Sequence, residues 1–491
     1  MALPYSRMTE PDRIDADLAV VGAGAAGLYA ALTGARSGAR VALVSATPLA
    51  RTASYWAQGG LAAALAVDDS PDLHREDTER AGRALVRSSA ASVLCREAPR
   101  TVSELERLGV HFDADRHGNL ALGLEGGHSR RRVVHAGGSA TGRRVVRQLS
   151  AVVVETPGIT VIEGARAAKL WTREGRCIGV VCEDGRAIHA RAVILATGGS
   201  AALWRRTTNP PGSLGIGLLL AREAGAALAD LELMQFHPTA VTGIKGREGF
   251  LITEAIRGEG ATLLNAHGER FVEELAPRDE VARAIWSTMG ESGAPSVDLD
   301  MRAIDPGLFP NVVGALREAG LDPTRELVPV APAAHYGMGG IVADLDGATT
   351  VPGLYAVGES ACTGLHGANR LASNSLSECF VFGARASFAA LSEPRTPADD
   401  PPAAPALEPP SRETRAALWR DAGLVRDAEG LQTLAADPHP LARLIARHAL
   451  LREESRGAHM RSDFPETAPE LDLHHSVTRG GADEPAFERW V

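Results

Sequence analysis

Three glycines near the beginning of the chain have the spacing of a phosphate-binding turn. Gly22, Gly24 and Gly27 form a GxGxxG pattern directly after the apolar run Leu18–Val21. The first glycine permits a tight turn, the second lets the backbone approach a pyrophosphate, and the third lets the next helix pack closely on the strand. The turn therefore predicts a dinucleotide site at the N-terminus of that helix. A glycine-rich turn in another α/β protein is the alternative, because the second strand ends in Ser45 and not in an acidic residue for the ribose.

Polar and charged groups stand in otherwise apolar surroundings between residues 232 and 336. They fall into four segments: Gln235–Pro238, Thr253–Gly260, Glu274–Asp279 and Pro332–Tyr336. Histidine and arginine side chains can bind anions, and histidine and carboxylate groups can move protons. The segments predict a second domain that covers the first. For each single histidine, a structural residue with a satisfied hydrogen bond is the alternative.

Alternating strands and helices must position these groups, and their periodicity predicts an α/β architecture. The predicted elements are strands at 18–21 and 40–44, a helix between them that ends at Gly38, helical segments within 72–108 and from Thr141, a β-meander at 159–194, buried strands at 193–195 and 354–357, and a helix from Ser373 to about residue 391. The strand at 193–195 runs into Thr197-Gly198-Gly199, a second place where backbone can meet a dinucleotide. The polar segment 124–132 is by composition a solvated loop.

The last hundred residues differ in composition from the rest. Residues 394–410 are rich in proline and predict an extended linker that is not packed. Residues 411–451 have a helical pattern, and the polar tail beyond Arg461 predicts irregular structure.

Composition narrows the class of protein. With 491 residues the chain is long enough for two or three domains, and 45% hydrophobic with 23% charged residues is typical of globular proteins. A net charge of −10 argues against a nucleic-acid surface. Five scattered cysteines without a CxxC pair indicate reduced thiols, and no metal-ligand cluster stands out. Residues 1–15 lack an apolar signal region, and no stretch approaches the ~18 apolar residues of a membrane span, so we expect a cytoplasmic protein.

Eight motifs in a fixed order connect these segments to a known family. They are YWAQGG at 55–60, EGGHSRRR at 125–132, ATGG at 196–199, QFHPTA at 235–240, TEAIRGEG at 253–260, ELAPRD at 274–279, PAAHY at 332–336 and GLHGANRLASNSL at 364–376. With these motifs the chain resembles the flavoprotein subunit family of succinate dehydrogenase and fumarate reductase over residues 15–391, and weakly over 411–466. The resemblance implies an oxidoreductase with FAD as its cofactor.

Two positions point to the branch of this family that oxidises L-aspartate. Membrane-associated members carry a histidine, covalently attached to FAD, five residues before the Gln of the QGG motif. Here that residue is Ala53, which implies non-covalent FAD. The residue before Gly126 is usually apolar in those members, and here it is Glu125. A carboxylate there would pair with a substrate ammonium group, which succinate lacks.

The resemblance also implies a role for individual residues. Arg278 would be the proton donor and acceptor, in a relay with Glu254 and Arg257, because a free guanidinium has a pKa above about 12 and is a poor base. A purely charge-binding Arg278 is the alternative. The implied substrate-binding residues are Glu125, His237, Thr253, His335 and Arg370, with Glu254 beside them. The implied cofactor-binding residues are Gly22, Gly24, Ala25, Ala26, Gly27, Ser45, Ser54, Gln58, Gly59, Gly60, Glu359, Ser375 and Leu376.

The implied fold is an α/β FAD-binding Rossmann-like domain with an inserted α+β capping domain and a C-terminal helical domain. The predicted bounds are 1–230 and 337–391 for the two parts of the FAD-binding domain, 231–336 for the capping domain, 392–410 for the Pro-rich linker and 411–491 for the C-terminal helical region and tail. Three positions depart from the family pattern. Ala46 replaces a usual Lys, Ile216 replaces an Asp that contacts the cofactor, and the segment before Glu274 is shortened, which we expect to pull on the loop that carries Arg278.

The implied reaction converts L-aspartate to iminosuccinate, with O2 (giving H2O2) or fumarate as the acceptor. This is the first step of NAD biosynthesis through quinolinate, and quinolinate synthase is the implied downstream user of the imine. The alternatives are a soluble fumarate reductase-like dicarboxylate oxidoreductase and a degenerate flavin-binding homologue.

Overall fold

The structure is a computed structural model that describes residues 13–405 and 408–491. Its helices, in chain order, are α1 Ala25–Arg36, α2 Pro71–Ala81, α3 Ser88–Arg107, α4 Thr141–Glu155, α5 Ile216–Glu223, α6 Ala255–Gly258, α7 Arg278–Ser292, α8 Pro310–Glu318, α9 Asn374–Ala390, α10 Arg412–Asp421, α11 Ala428–Leu434 and α12 Pro440–Leu451. Its strands are β1 Arg13–Asp15, β2 Leu18–Val21, β3 Val41–Ser45, β4 Leu61–Ala62, β5 Leu122–Gly123, β6 Val133–Val134, β7 Ile159–Glu163, β8 Ala167–Arg173, β9 Arg176–Cys182, β10 Ala187–His189, β11 Ala192–Leu195, β12 Leu228–Ala229, β13 Met234–Val241, β14 Thr262–Leu264, β15 Val297–Asp300, β16 Val328–Gly337, β17 Gly340–Val342, β18 Leu354–Ala356, β19 Ala361–Cys362, β20 His474–Thr478 and β21 Ala486–Arg489.

A five-stranded parallel sheet, in the order β18-β11-β2-β3-β7, carries the first glycine turn. Every residue of β2, β3, β11 and β18 is buried, which explains why these segments are apolar runs without alternation. Helix α1 packs against α9, so elements about 350 residues apart in the chain form one layer. The predicted α/β architecture is confirmed, and the predicted helix from Ser373 to about residue 391 is α9.

The glycine turn between β2 and α1 has the close backbone approaches that its sequence predicts. Gly22 has a φ of +109°, and a Cβ on it would lie 2.2 Å from the carbonyl oxygen of Ala196. A Cβ on Gly27 would lie 1.8 Å from the carbonyl oxygen of Gly22. Both positions therefore exclude side chains, and α1 begins directly at the end of β2.

A four-stranded antiparallel sheet, in the order β13-β16-β15-β14, packs with α6, α7 and α8 in the region predicted as the capping domain. Its apolar residues form a core of their own that includes Val241, Ile285 and Val330.

Elsewhere β8, β9 and β10 form the predicted antiparallel meander, which β1 extends, whereas β7 joins the parallel sheet. The domain bounds themselves stay a prediction.

The C-terminal region is only partly as predicted. Helices α10, α11 and α12 confirm the helical pattern of residues 411–451. The prediction of irregular structure beyond Arg461 is wrong, because β20 pairs with both β12 and β21 in a five-stranded sheet. The polar residues His475 and Ser476 remove the apolar pattern by which a buried strand is predicted. Both are buried and form hydrogen bonds with Asp230 and Glu232.

The Pro-rich segment has no helix or strand over residues 394–405, but it is not free of the protein. The indole of Trp171 donates a hydrogen bond of 2.8 Å to Asp399 Oδ1. Ala398 and Ala404 pack against the buried cluster around Trp171. The prediction that this segment is unpacked is therefore wrong for these residues. Residues 406 and 407 lie outside the described residues.

Two further observations concern the whole described chain. None of the helices in residues 13–405 and 408–491 is both long and apolar enough to cross a membrane. The five cysteines are unpaired thiols, and four of them are buried.

Candidate active site

A cavity of about 680 Å³ extends from the glycine turn to the capping sheet. Twelve of the predicted cofactor-binding residues line it: Gly22, Gly24, Ala25, Ala26, Ser45, Ser54, Gln58, Gly59, Gly60, Glu359, Ser375 and Leu376. Gly27 does not line the cavity but packs beneath the turn. The fold therefore builds one continuous cavity wall from segments that are more than 300 residues apart in the chain.

Unpartnered polar atoms and two helix ends show what this wall fits. The buried oxygens Thr52 Oγ1, Gln58 Oε1 and Thr197 Oγ1 have no hydrogen-bond partner within the described residues. Neither α1 nor α9 is capped by the side chain of its own N-cap residue. Buried polar atoms normally find partners, and helix N-termini favour anions. The wall thus fits an elongated group with phosphates and a polar ring edge, as FAD is.

The N-terminus of α9 departs from the expected cap. Ser373, the N-cap residue, has a left-handed backbone with φ of 60°, and its hydroxyl does not cap the helix. The hydroxyl instead donates to Glu125 Oε2 at 2.6 Å and accepts from the backbone N–H of Gly60 at 3.1 Å. Ser373 therefore ties the QGG motif and Glu125 to the helix that faces the cofactor region.

The predicted substrate residues lie at the capping-sheet end of the same cavity. The side chains brought together there are Glu125, His237, Thr253, Glu254, Arg278, His335 and Arg370. All seven residues belong to the eight motifs. They come from six motifs that are separate in the sequence and that the fold brings together. This end of the cavity is rich in cations and is covered by the capping region.

The relay predicted for Arg278 has a direct geometric basis. Arg278 is the first residue of α7, and its Nε donates to Glu254 Oε2 at 2.7 Å. Arg257 Nη2 lies 3.7 Å from the same oxygen, and Arg257 is buried behind the cavity wall without lining it. Burial alone would raise the pKa of Glu254, but the charges of Arg278 and Arg257 lower it. The carboxylate therefore bridges the two arginines, and the shortened segment before Glu274 has not drawn Arg278 out of the site.

A residue without an assigned role from the sequence joins the two cavity arginines. Gln235 Oε1 accepts from Arg278 Nη1 at 3.3 Å and from Arg370 Nη2 at 3.2 Å. The guanidinium of Arg370 also lies over the ring of Tyr336, 4.6 Å from its centroid. Gln235 belongs to the QFHPTA motif and Tyr336 to PAAHY. An amide side chain between the apolar residues Met234 and Phe236 is the feature of the sequence that marks Gln235.

The two histidines of the site are neutral hydrogen-bonding groups. Their rings lie 5.1 Å apart, centroid to centroid. Burial, and next the positive charge of Arg278, place the pKa of both His237 and His335 well below the usual value. The Nδ1 of His237 accepts from the backbone N–H of Thr239 at 3.3 Å, so its proton is on Nε2. Both histidines line the cavity, and His335 Nδ1 also lies 2.8 Å from Thr208 Oγ1, so their binding role stays a prediction.

Glu125 belongs to a segment whose composition predicts a solvated loop, and that prediction is only partly right: the segment is a loop in which Ser129, Arg130 and Arg131 are exposed, but other residues are not. Glu125, His128 and Arg132 are all buried. Arg132 binds Asp69 at 2.8 Å and Asp77 at 2.5 Å, which compensates its charge. Burial would raise the pKa of Glu125, but hydrogen bonds from His135 and Ser373 lower it to about 2. The cavity therefore presents an ionised carboxylate among its cations.

Comparisons with known proteins agree with these observations. The FAD binding domain family matches residues 17–376, and the fumarate reductase flavoprotein C-terminal family matches residues 436–489. An L-aspartate oxidase of Caulobacter vibrioides is 47% identical over 94% of this chain and 96% of its own length. An L-aspartate oxidase of Nostoc is 42% identical, with 97% and 95% covered.

Solved structures show the same fold. A quinol fumarate reductase of E. coli has a TM-score of 0.88 at 28% identity, covering 97% of this chain and 96% of its own. Sdh1 of Mycobacterium smegmatis has a TM-score of 0.84 at 30% identity, with 98% and 95% covered. The predicted cofactor class and fold are confirmed, and the chain belongs to the L-aspartate oxidase family of FAD-binding flavoproteins.

Proposed function

We propose that the protein oxidises L-aspartate to iminosuccinate with non-covalently bound FAD. The observation that carries this proposal is the position of Glu125, which lines the same cavity end as Arg278, His335 and Arg370. The relatives named L-aspartate oxidase support it. Ala53 also lines the cavity, and an alanine has no group that could attach the cofactor covalently.

The charges of the cavity end suit an amino acid with two carboxylates. Arg278 and Arg370 in the cavity wall, Arg257 directly behind it and two carboxylates (Glu125 and Glu254) give a net charge of three minus two, or +1. L-Aspartate carries a net charge of −1, so the complex is neutral. Succinate carries −2 and has no ammonium group to offset the charge of Glu125, so its complex would keep a net charge of −1 in a buried site, which disfavours it.

Each group then has a defined task. His237 and Thr253 bind one substrate carboxylate, and His335 with Arg370 binds the other through neutral and charge-assisted hydrogen bonds. Glu125 accepts from the substrate amino group. The Arg278–Glu254–Arg257 relay takes up the proton that the substrate loses, and the ionised carboxylate of Glu254 is the member with a site to accept it. FAD, when bound in this cavity, supplies the acceptor for the hydride.

The reaction removes one hydride and one proton from L-aspartate. We propose O2, giving H2O2, or fumarate as the final acceptor, and quinolinate synthase as the user of the imine in NAD biosynthesis. The unpaired cysteines support a reducing compartment such as the cytoplasm.

A peroxide assay on the purified, FAD-loaded protein tests the proposal. L-Aspartate, succinate and no substrate are compared. We expect peroxide with L-aspartate alone. Oxidation of succinate at an equal rate would favour the dicarboxylate oxidoreductase to which the solved fumarate reductases point. Bound flavin without turnover of either substrate would favour a degenerate homologue, for which Ile216 in the cavity wall is the supporting feature.

A further inference from the structure

Glu125 has a neighbour on the side away from the cavity that none of the predicted roles includes. His135 follows β6, and its Nε2 lies 3.4 Å from Glu125 Oε1. His135 does not line the cavity. Its side chain is 15% exposed, whereas that of Glu125 is 1% exposed. The imidazole therefore stands between the buried carboxylate and the outer surface.

Each oxygen of Glu125 has one donor from the protein. Oε2 accepts from the Ser373 hydroxyl, and Oε1 accepts from His135, because an ionised carboxylate cannot donate. A carboxylate oxygen has two lone-pair sites, so each oxygen keeps one for a ligand. The two donors hold the carboxylate plane in one orientation, and the free sites are left for a group inside the cavity.

The carboxylate has another attractive neighbour, against which this orientation must be held. Arg278 lowers the pKa of Glu125 through its charge, although no direct hydrogen bond joins the two side chains among the described contacts. If the carboxylate of Glu125 were free to turn toward Arg278, the two side chains would form an ion pair within the protein. It would then be a poorer partner for a substrate, and Arg278 would be drawn from Glu254.

Packing against the neighbouring strand fixes the imidazole. A Cβ built on Gly123, in β5, would lie 2.8 Å from His135 Cε1 and 3.2 Å from its Nδ1. The ring therefore fills the space that a side chain at residue 123 would occupy. Gly123 offers a way to displace the imidazole without changing His135 itself.

We propose that His135 is a positioning residue for recognition of the substrate amino group, acting through Glu125. This inference rests on the proposed function, since only an amine-bearing substrate uses Glu125. His135 touches no reacting atom. Its loss weakens binding of an amino dicarboxylate and leaves binding of a dicarboxylate without an amine as it was.

Two affinities of the FAD-loaded enzyme test this inference. Anaerobic reduction of the bound flavin gives the Kd and the limiting rate for L-aspartate, and the flavin difference spectrum gives the Kd for succinate. We expect His135→Leu to raise the Kd for L-aspartate about tenfold, as the loss of a hydrogen bond to a charged group does. The limiting rate and the Kd for succinate should stay within about twofold.

Two further variants guard against a simple folding defect. His135→Gln places an amide N–H near the position of Nε2, and we expect it to restore most of the affinity for L-aspartate. Gly123→Ala should displace the ring and reproduce the effect of His135→Leu. An unchanged Kd for L-aspartate in His135→Leu would overturn the inference, as would an equal loss for both ligands or the absence of rescue by Gln.

The variant Glu125→Gln separates this inference from the proposed function. If Glu125→Gln binds L-aspartate and succinate in the same ratio as the parent, amine recognition by Glu125 fails and the proposed function loses its support. If Glu125→Gln loses L-aspartate selectively and His135→Leu does not, only the role of His135 is refuted.

Discussion

Arg278 and Arg370 are held at the cavity end by partners that the substrate does not have to provide. Glu254 and Gln235 bind Arg278, and Gln235 and Tyr336 contact Arg370. Desolvation lowers the pKa of Arg370 to about 10, with the charge of Arg278 as the next cause. Arg370 therefore stays cationic near neutral pH, which suits a site for a carboxylate.

Arg278→Lys separates proton transfer from charge. A lysine keeps the positive charge but cannot copy the planar contact with Glu254 and Gln235. We expect the limiting rate of flavin reduction by L-aspartate to fall about 100-fold or more, with the Kd changed by less than about fivefold. Stopped-flow reduction across a pH series measures both. Equal changes in rate and Kd, with an unaltered pH profile, would support a charge-binding role alone.

We expect Tyr336 to contribute to the affinity for every dicarboxylate, because its ring contacts Arg370. A desolvated cation–π contact is worth about 2 kcal/mol, so Tyr336→Leu should raise the Kd for both L-aspartate and succinate by at least about tenfold. Tyr336→Phe keeps the ring and should retain most of the affinity. Flavin difference titrations with succinate give the comparison, and a loss of equal size in both variants would exclude the ring contact as the cause.

At the scale of elements, the position of helix α7 decides where Arg278 lies. Arg83, in the turn after α2, binds Asp279 at 3.1 Å and Glu280 at 2.5 Å in the first turn of this helix. Its backbone has a φ of 57°, and its carbonyl accepts from Arg456 at 2.7 Å. The turn, the capping region and the C-terminal region therefore meet at the beginning of α7.

Arg83→Gln should loosen this contact without touching the cavity. Misplacement of a catalytic group by about 1 Å can cost a large factor in rate, and Arg283 still binds Asp279 in the variant. We expect kcat to fall roughly five- to tenfold with FAD retention unchanged. Arg302→Gln, which breaks the exposed pair with Asp300, is the matched control. If both variants keep the parent kcat, the Arg83 contact does not position α7.

At the scale of the whole molecule, a buried ionic network joins the C-terminal region to the capping sheet. Arg452 is fully buried and binds Glu232 at 2.7 Å and Glu454 at 3.0 Å. Arg426 donates to the carbonyl of Glu232, two residues before β13. His448, in α12, contacts Ser476 and Thr478 of β20. The C-terminal region thus anchors the strand that carries Gln235 and His237.

One group of this network, His448, makes its own contribution to stability depend on pH in a defined direction. Burial lowers the pKa of His448 to about 3, whereas an unfolded histidine titrates near 6.5. Below about pH 6.5 the unfolded chain binds a proton at His448 that the folded chain does not, so the contribution of this histidine to stability falls by about 1.4 kcal/mol per pH unit toward pH 3.

We therefore expect the thermal midpoint to fall less between pH 7.5 and 5.5 in His448→Gln than in the parent protein, with both profiles compared as differences from pH 7.5. The exposed His117 provides the matched control His117→Gln, whose profile should follow the parent. Parallel profiles for all three proteins would show that His448 is not the source of the dependence.

Local pattern was enough for the parallel sheet, the glycine turn and helix α9, whereas the site residues were predicted from the resemblance to a family. Those features depend on periodicity and on glycines whose added Cβ would collide with nearby backbone, and both are visible within a few residues. The motifs predict the site residues because their residue types and their order along the chain are specific to that family.

Only the tertiary structure decided the burial of Glu125, His128 and Arg132, the contacts of Gln235 and the strands of the tail. Arg132 is buried because Asp69 and Asp77 compensate it across 63 and 55 residues. Strand β20 forms because β12, about 245 residues earlier, offers it an edge and buried carboxylates. The composition of a polar segment predicts solvent exposure as long as its partners are unknown. Contacts between residues that are far apart in the sequence leave no periodic pattern in either segment.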